Sequence, residues 1–501
     1  MIKTQINSIE EINKSSKVDS IIIGLFKDKP NLFSEVDKYS NSILSEINEI
    51  GDLSSNIGDV AIIHTPNRIF NEFEYSRIFV LGLGETKKLD NNSAREAAGI
   101  LSRKIKTTKC KSISFFLDSL VSDDNNYFNL SQSIIEGFLL GSYSFDKYKS
   151  TKSTQINKIS SIDIISSKKS AELEVAINKA IINSEAEQKA RNLVNEPANI
   201  MSPTELSKFS SGLSNHNLTC KILNYDDCKK LGMNAFLGVA QGSIEEPKLI
   251  HLSYKPNKKD DRATWYIGKA ITFDSGGLSL KPSGSMLSMK GDMGGSAAVI
   301  SAIEAISKLN IKTNIDVLCL ATENMPSGSA QRPSDVVQAM DGTYIEVENT
   351  DAEGRLTLAD AIAYARKFNP KAIIDVATLT GAAGIGLGKG NISAFSNNEK
   401  LMSSVKKAGI FTGDSVWELP LDNVSKKQNN SVIADIKNTG GRLAGSITAA
   451  HFINHFVKET PWVHLDIAAN MMNATAEGWY SKGATGIPTR LLIELAYNLE
   501  N

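Results

Sequence analysis

Short apolar runs alternate with helical patterns along the chain. In the first third, Val18–Leu25, Val60–His64, Arg77–Leu83, Ile113–Leu117 and Ile159–Ile165 have the length and branched content of strands. Ser93–Lys106 and Leu130–Leu140 have the helical period. Ala171–Val194 predicts one long helix. It closes at Asn195-Glu196-Pro197-Ala198-Asn199, because the residue before a proline is pushed out of helical geometry. Beyond it, strands are predicted at Thr264–Thr272, Ile315–Ala321, Ala372–Ala377 and Val463–Ile467, and helices at Gly294–Leu309, Leu356–Phe368, Ala449–Val457 and Pro488–Leu499. The apolar run Ile373–Leu387 is interrupted by Asp375, glycines and threonines, and reads as a buried strand followed by a packed loop. The Ser/Lys/Asn-rich stretch Tyr148–Lys158 reads as an exposed loop. This alternation predicts an α/β protein of two domains: a smaller N-terminal α/β domain (1–165), a linking helix (166–195) and a larger C-terminal α/β domain (196–501) with a mixed central sheet flanked by helices.

Composition narrows the classes. A chain of 501 residues buries a large core without covalent staples. Its 55 Lys+Arg balance 56 Asp+Glu, which argues against nucleic acid as a main partner. Four cysteines with no CxxC make no disulfide framework and fit a reducing compartment. No run reaches the roughly 18 apolar residues of a membrane span, and the polar start lacks the apolar stretch of a secretory leader. A cytoplasmic protein with no membrane partner is expected. Gly82-Leu83-Gly84 lacks the rest of a dinucleotide fingerprint and reads as a turn.

The chemistry concentrates in two segments, where open α/β sheets place their sites, beyond the carboxyl ends of strands. In Ile267-Gly268-Lys269-Ala270-Ile271-Thr272-Phe273-Asp274-Ser275-Gly276-Gly277, Lys269 shares a strand face with Ile267, Ile271 and Phe273. A buried lysine is costly unless paired or neutral, and a Lys269–Asp274 ion pair is the plain reading. Further on, Lys281 and Asp292 precede the helix from Gly294, where Asp292 could serve as an N-cap. The second segment runs from Glu346 to Leu356. If Asp351 to Arg355 is extended, Asp351, Glu353 and Arg355 point one way. Carboxylates share a small site only if cations offset them, which suits hard divalent ions. HExxH, GxSxG and the P-loop pattern are all missing. A carboxylate-bridged metal pair is the better physical candidate, and such a pair can activate a water. His451 and His455 lie on one helical face amid apolar residues and read as packing, and His464 as a satisfied core histidine. Trp462 and Trp479 could line a site or fill the core.

The motif Asn349-Thr350-Asp351-Ala352-Glu353-Gly354-Arg355-Leu356 resembles the signature of the cytosol aminopeptidase (leucyl aminopeptidase) family at every position. Gly268–Gly295, Asn195–Asn199, Asp375–Gly381 and Gly483–Gly486 match that family as well, with Ala270 where a glycine is more usual. The resemblance is detailed over about 165–501. It makes the larger domain a metallopeptidase catalytic domain and implies a two-metal exopeptidase that removes N-terminal residues, leucine by preference. It implies Lys269, Asp274, Asp292, Asp351 and Glu353 as ligands of two divalent ions, manganese first and zinc as the alternative. Asp274 and Glu353 would bridge them, and Lys269 would ligate as the neutral amine. Lys281 would steady the oxyanion as water attacks the scissile carbonyl. Arg355 would hold a bicarbonate acting as general base. Met289, Asn349, Thr378, Gly381, Ala468 and Met471 would line the substrate pocket, whose two methionines suit leucine-like side chains. Peptides with a free N-terminus would be the partners, and a homohexamer the assembly. A phosphoesterase, or an inactive or nucleic-acid-binding member of the fold, stays open on the residues alone.

Overall fold

The computed structural model describes residues 3–7, 19–29, 37, 42–65, 69–70, 73–122, 124–150, 159–215 and 217–500. Residues 151–158, most of the expected Ser/Lys/Asn-rich loop, lie outside them. Contacts divide the chain into two units. One is Met1–Ser184 with Thr475–Ser481, and the other is Glu185–Ala474 with Lys482–Asn501.

The first unit holds strands β1 (Lys3–Asn7), β2 (Ser20–Leu25), β3 (Val60–His64), β4 (Arg77–Gly82), β5 (Ser112–Phe116) and β6 (Ser161–Ile165), in sheet order β1-β6-β5-β2-β4-β3. Only β3 runs antiparallel to its neighbour. Helices α1 (Asn91–Lys106) and α2 (Tyr127–Gly141) bury Leu101, Ile105, Ile134 and Phe138 in the core with Phe79 and Phe115. Asp90 caps α1 by accepting from the Asn92 and Ser93 amides. Helix α3 (Ala171–Asn195) begins in this unit, adding Leu173, Ile177 and Ala180 to its core, and ends in the second.

In the second unit, β7 (Leu218–Leu223), β8 (Lys248–Tyr254), β9 (Thr264–Asp274), β10 (Ile315–Asn324), β11 (Ala372–Ala377), β12 (Ile392–Ser396), β13 (Val416–Glu418) and β14 (Trp462–Asp466) form one mixed sheet ordered β13-β12-β14-β11-β9-β10-β8-β7. Its centre, β14-β11-β9-β10, is parallel, and β8 and β12 run antiparallel to the strands they flank. Helices α4 (Asn234–Ala240), α5 (Gly294–Lys308), α6 (Gly354–Arg366), α7 (Gly381–Leu387), α8 (Gly445–Val457) and α9 (Thr489–Asn498) complete it. Alternation along β9 sorts them onto two faces. Trp265, Ile267 and Ile271 pack in one core with Leu356, Ile362 and Phe452 of α6 and α8. On the other side Tyr266 donates to the Leu492 carbonyl of α9 at 3.0 Å, and a side chain on Gly268 would strike the Ser296 backbone of α5 at 2.6 Å.

Two local expectations fail. Residues 381–387 form helix α7 instead of a packed loop, capped by Thr380 and with Ile385 exposed. Residues 351–355 are not extended: a turn at Thr350–Asp351 leads into α6 at Gly354, with Glu353 already in helical geometry. Asp351, Glu353 and Arg355 therefore cannot be aligned by strand alternation.

Candidate active site

The carboxyl ends of the central strands carry the candidate residues. Lys269 lies inside β9, with only 3% of the residue exposed. It shares its face with Ile267 and Ile271, as the alternation requires. Its Nζ contacts Asp292 Oδ2 at 2.7 Å, Glu353 Oε1 at 2.8 Å and the Thr378 carbonyl at 3.1 Å. The predicted Lys269–Asp274 pair gives way to this arrangement because α6 brings Glu353 over the strand. Gly354 makes that approach possible, since a side chain there would meet Lys269 Cε at 2.5 Å. Asp274, ending β9, is paired with Lys281 Nζ at 2.7 Å, and the same ammonium meets Asp351 Oδ1 at 2.5 Å. Gly276 and Gly277, with φ of +87° and +63°, turn the chain sharply after Asp274. Asp292 does not cap α5, whose N-cap is Met293. Instead its Oδ1 accepts from Thr378 Oγ1 at 2.8 Å.

Ligand oxygens of Asp274, Asp351 and Glu353 lie within 4.8 Å of one another, the one such acidic group among the described residues. Glu353 Oε2 is buried without a hydrogen-bond partner. Burial pushes the carboxyls of Asp292, Glu353 and Asp351 upward, against the lowering pull of the lysines. Burial disfavours the ammonium of Lys269, but Asp292, Glu353 and Asp274 outweigh it and hold its proton more tightly than usual; Asp274 and Glu353 do the same for Lys281. Such a site is short of positive charge. Crowded buried carboxylates, one oxygen unpartnered, and an amine among them are a donor set that divalent cations satisfy.

Arg355, at the start of α6, donates from Nη1 to the Asn438 carbonyl at 2.7 Å, while its buried Nε lacks a hydrogen-bond partner. Burial lowers its pKa to about 10, opposed by Glu353 and Asp466. Of the expected pocket residues, Thr378 and Met471 lie beside the Gly291–Gly294 segment that follows Met289. A side chain at Gly294 would lie 3.4 Å from Thr378 Cγ2 and 3.7 Å from Met471 Cβ, and one at Gly291 would lie 3.2 Å from Met471 Sδ. Gly381 opens α7 and is exposed, with open space where a side chain would stand. Ala468 is half-buried and donates its amide to Asp466. Asn349 is exposed, and its Oδ1 accepts from the Asp351 amide at 2.8 Å, so its side chain braces the loop.

Residues 188–493 match the model of the cytosol aminopeptidase family catalytic domain, and residues 22–152 match that of its N-terminal domain. The chain belongs to the cytosol aminopeptidase family. A probable cytosol aminopeptidase of Alkaliphilus metalliredigens is 36% identical over 98% of this chain and 99% of its own. One from Clostridium tetani is 40% identical over 92% and 96%. Among solved structures, a mutant of tomato leucine aminopeptidase aligns with a TM-score of 0.86 and 30% identity over 99% of this chain and 97% of its own. The bottromycin maturation enzyme BotP in complex with Mn aligns at 0.84 and 29% over 97% and 100%. The chain is thus a metallo-exopeptidase with a metal-binding acidic cluster, and a phosphoesterase or inactive scaffold is set aside.

The histidines and tryptophans singled out in the sequence stay outside this chemistry among the described residues. His464 is buried with Nδ1 2.6 Å from Asp375 Oδ1, and Trp462 Nε1 donates to Asp375 Oδ2 at 2.6 Å. Trp479 is buried beneath the Arg95 guanidinium in the first unit. His451 is buried and His455 half-buried on α8, and they form no metal-ligating group with a third residue among those described. Asp466 went unnoticed in the sequence. Fully buried, it accepts from the Leu379 and Thr380 amides and from Thr380 Oγ1, and so fixes the strand-to-helix turn carrying Thr378. Its position at the carboxyl end of β14 was the available signal.

Proposed function

We propose that this aminopeptidase removes N-terminal residues from peptides, leucine by preference, using two divalent ions held by Lys269, Asp274, Asp292, Asp351 and Glu353. The observation that carries the proposal is the convergence of these five side chains, distant in sequence, on a site where four carboxylates outnumber two lysines. Manganese is the first choice, which the Mn complex of BotP supports, and zinc is the alternative. When bound, the ions supply Lewis acidity and water activation at the scissile carbonyl.

The chain's own groups do the rest. Lys269 would have to give up its proton to become a ligand, and its ammonium now lies between Asp292 and Glu353. Lys281 is 15% exposed at its side chain, which places an ammonium at the rim of the acidic cluster to stabilise developing oxyanion charge. Arg355, with Nε unengaged, would hold a bicarbonate, which would supply general-base chemistry beside the metal site. Thr378, Gly381, Ala468, Met289 and Met471 bound the side-chain pocket. The enzyme works in the cytoplasm; among the described residues no helix is long and apolar enough to cross a membrane. It assembles as a homohexamer, which would cover exposed apolar residues such as Val432 and Leu443.

Turnover of leucine p-nitroanilide, lost on chelation and regained with Mn²⁺, tests the reading. Hydrolysis of p-nitrophenyl phosphate in its place would refute it. Sedimentation analysis of the purified protein tests the hexamer, and a monomer at micromolar concentration would contradict it.

A further inference from the structure

Two buried carboxamides hold the acidic segments in register. Asn324, at the carboxyl end of β10, donates from Nδ2 to Asp274 Oδ1 at 2.8 Å and to the Thr350 carbonyl at 3.0 Å. It thereby ties the ligand at the end of β9 to the loop carrying Asp351. Asn438 is fully buried. Its Oδ1 accepts from the amides of Glu348 at 2.9 Å and Asn349 at 3.3 Å, and its Nδ2 donates to the carbonyls of Asn349 at 2.7 Å and Ala352 at 3.4 Å. Its own carbonyl takes Arg355 Nη1.

The chemistry of the Asn438 position demands an amide. Asn438 meets two donors and two acceptors, a match that a carboxylate of the same shape cannot make, since it would face two carbonyl oxygens with no proton to offer. Asp274 Oδ1 is claimed by Asn324 and by the Gly276 amide at 2.9 Å, so only Oδ2 turns toward Lys281. A carboxylate with one oxygen fixed presents the other in one direction.

We infer that Asn324 and Asn438 are positioning residues of the metal site, a carboxamide clamp that sets the separation of Asp274 from Asp351 and Glu353 before any cation arrives and seats Arg355 on the same loop. This rests on the two-metal reading. Neither residue is among the five proposed ligands, and their amide groups engage Asp274 and the backbone of residues 348–352, so both act through the ligands they orient. Outer partners of this kind typically control metal affinity by about 10–100-fold.

The test uses the full-length protein as Asn324→Ala, Asn438→Asp and Asn397→Ala. Asn397 is a comparable bridge remote from the acidic cluster, donating to the Thr460 carbonyl at 2.9 Å and accepting from the Trp462 amide at 2.8 Å. Metal-stripped proteins are titrated with Mn²⁺ by calorimetry, kcat and KM are measured at saturating Mn²⁺, and urea midpoints are recorded. The clamp predicts Mn²⁺ affinity weakened about 10–100-fold in Asn324→Ala and Asn438→Asp, with kcat reduced and KM within about threefold. Asn397→Ala should shift only the urea midpoint. If the two clamp variants also shift only that midpoint, with parental Mn²⁺ affinity, the inference is overturned while the metal reading stands. A parent that binds no Mn²⁺ overturns both.

Discussion

Lys281→Met removes one positive charge from the acidic cluster while keeping most of the side chain's bulk. Lys281 Nζ joins Asp274 and Asp351 at 2.7 and 2.5 Å, so the metal-free protein loses two charge-assisted hydrogen bonds. Breaking a buried pair costs about 3–5 kcal/mol, and the partial exposure of Lys281 and Asp351 places this case lower, at about 2–3 kcal/mol. Bound cations would replace the lost charge, so the deficit should vanish in the metal-loaded protein. Metal affinity should be unchanged or tighter, because a competing ammonium has gone. Turnover should nevertheless fall by about 10²–10³, the loss typical when one oxyanion-stabilising donor is removed. The assays are urea unfolding with and without Mn²⁺, calorimetric Mn²⁺ titration, and kcat on leucine p-nitroanilide at saturating metal. A kcat within threefold of the parent would refute the role. So would a fall in kcat explained wholly by weaker metal binding, which would make Lys281 a holder of the cluster.

Other outcomes follow from the same geometry. Arg355→Lys keeps a charge but loses the guanidinium fork, so kcat should drop by about 10²-fold or more, and added bicarbonate should stimulate the parent but not the variant. Equal stimulation of both would remove Arg355 from that role. Asp360 in α6 tests the scaffold. Burial pushes its carboxyl up to about 7 although the Phe236 and Met340 amides donate to it at 2.8 Å each. The folded state therefore binds this proton more tightly than the unfolded state. Its stabilisation is full below the ordinary value of 3.8 and is lost as pH rises through about 7, a change of about 4 kcal/mol at 1.36 kcal/mol per pH unit. The stability of the parent relative to Asp360→Asn should decline by that order between pH 4 and pH 8, and a flat difference by urea unfolding would contradict it. Chelation should abolish peptide turnover while leaving far-ultraviolet circular dichroism unchanged, since the core of the catalytic unit is apolar and independent of the site.

The central strands were legible because they are buried on both faces and read as apolar runs. Lys269 stood out for the same reason, as the one lysine in the run Thr264–Thr272. The flanking strands Leu218–Leu223 and Ile392–Ser396 are short, with charged or small polar residues, and gave no comparable signal. The five candidate ligands could be named from motifs, but their pairing could not. Lys269 meets Asp292 and Glu353 instead of Asp274 because α6 crosses the strand at Gly354, a tertiary fact with no local trace. The turn at Asp351 is likewise imposed from outside, by Asn438 nearly ninety residues away. Single asparagines in polar loops carry no periodicity, so residues that shape the site from behind escape a reading built on pattern.

The most direct measurement is a crystal structure of the Mn²⁺-loaded protein with anomalous data at the manganese edge. The account predicts two peaks per chain, one touching Lys269 and Asp292, one touching Asp351, and both in reach of Asp274 and Glu353. A single peak elsewhere, or Lys269 still seated as an ammonium between Asp292 and Glu353 at full metal occupancy, would contradict it.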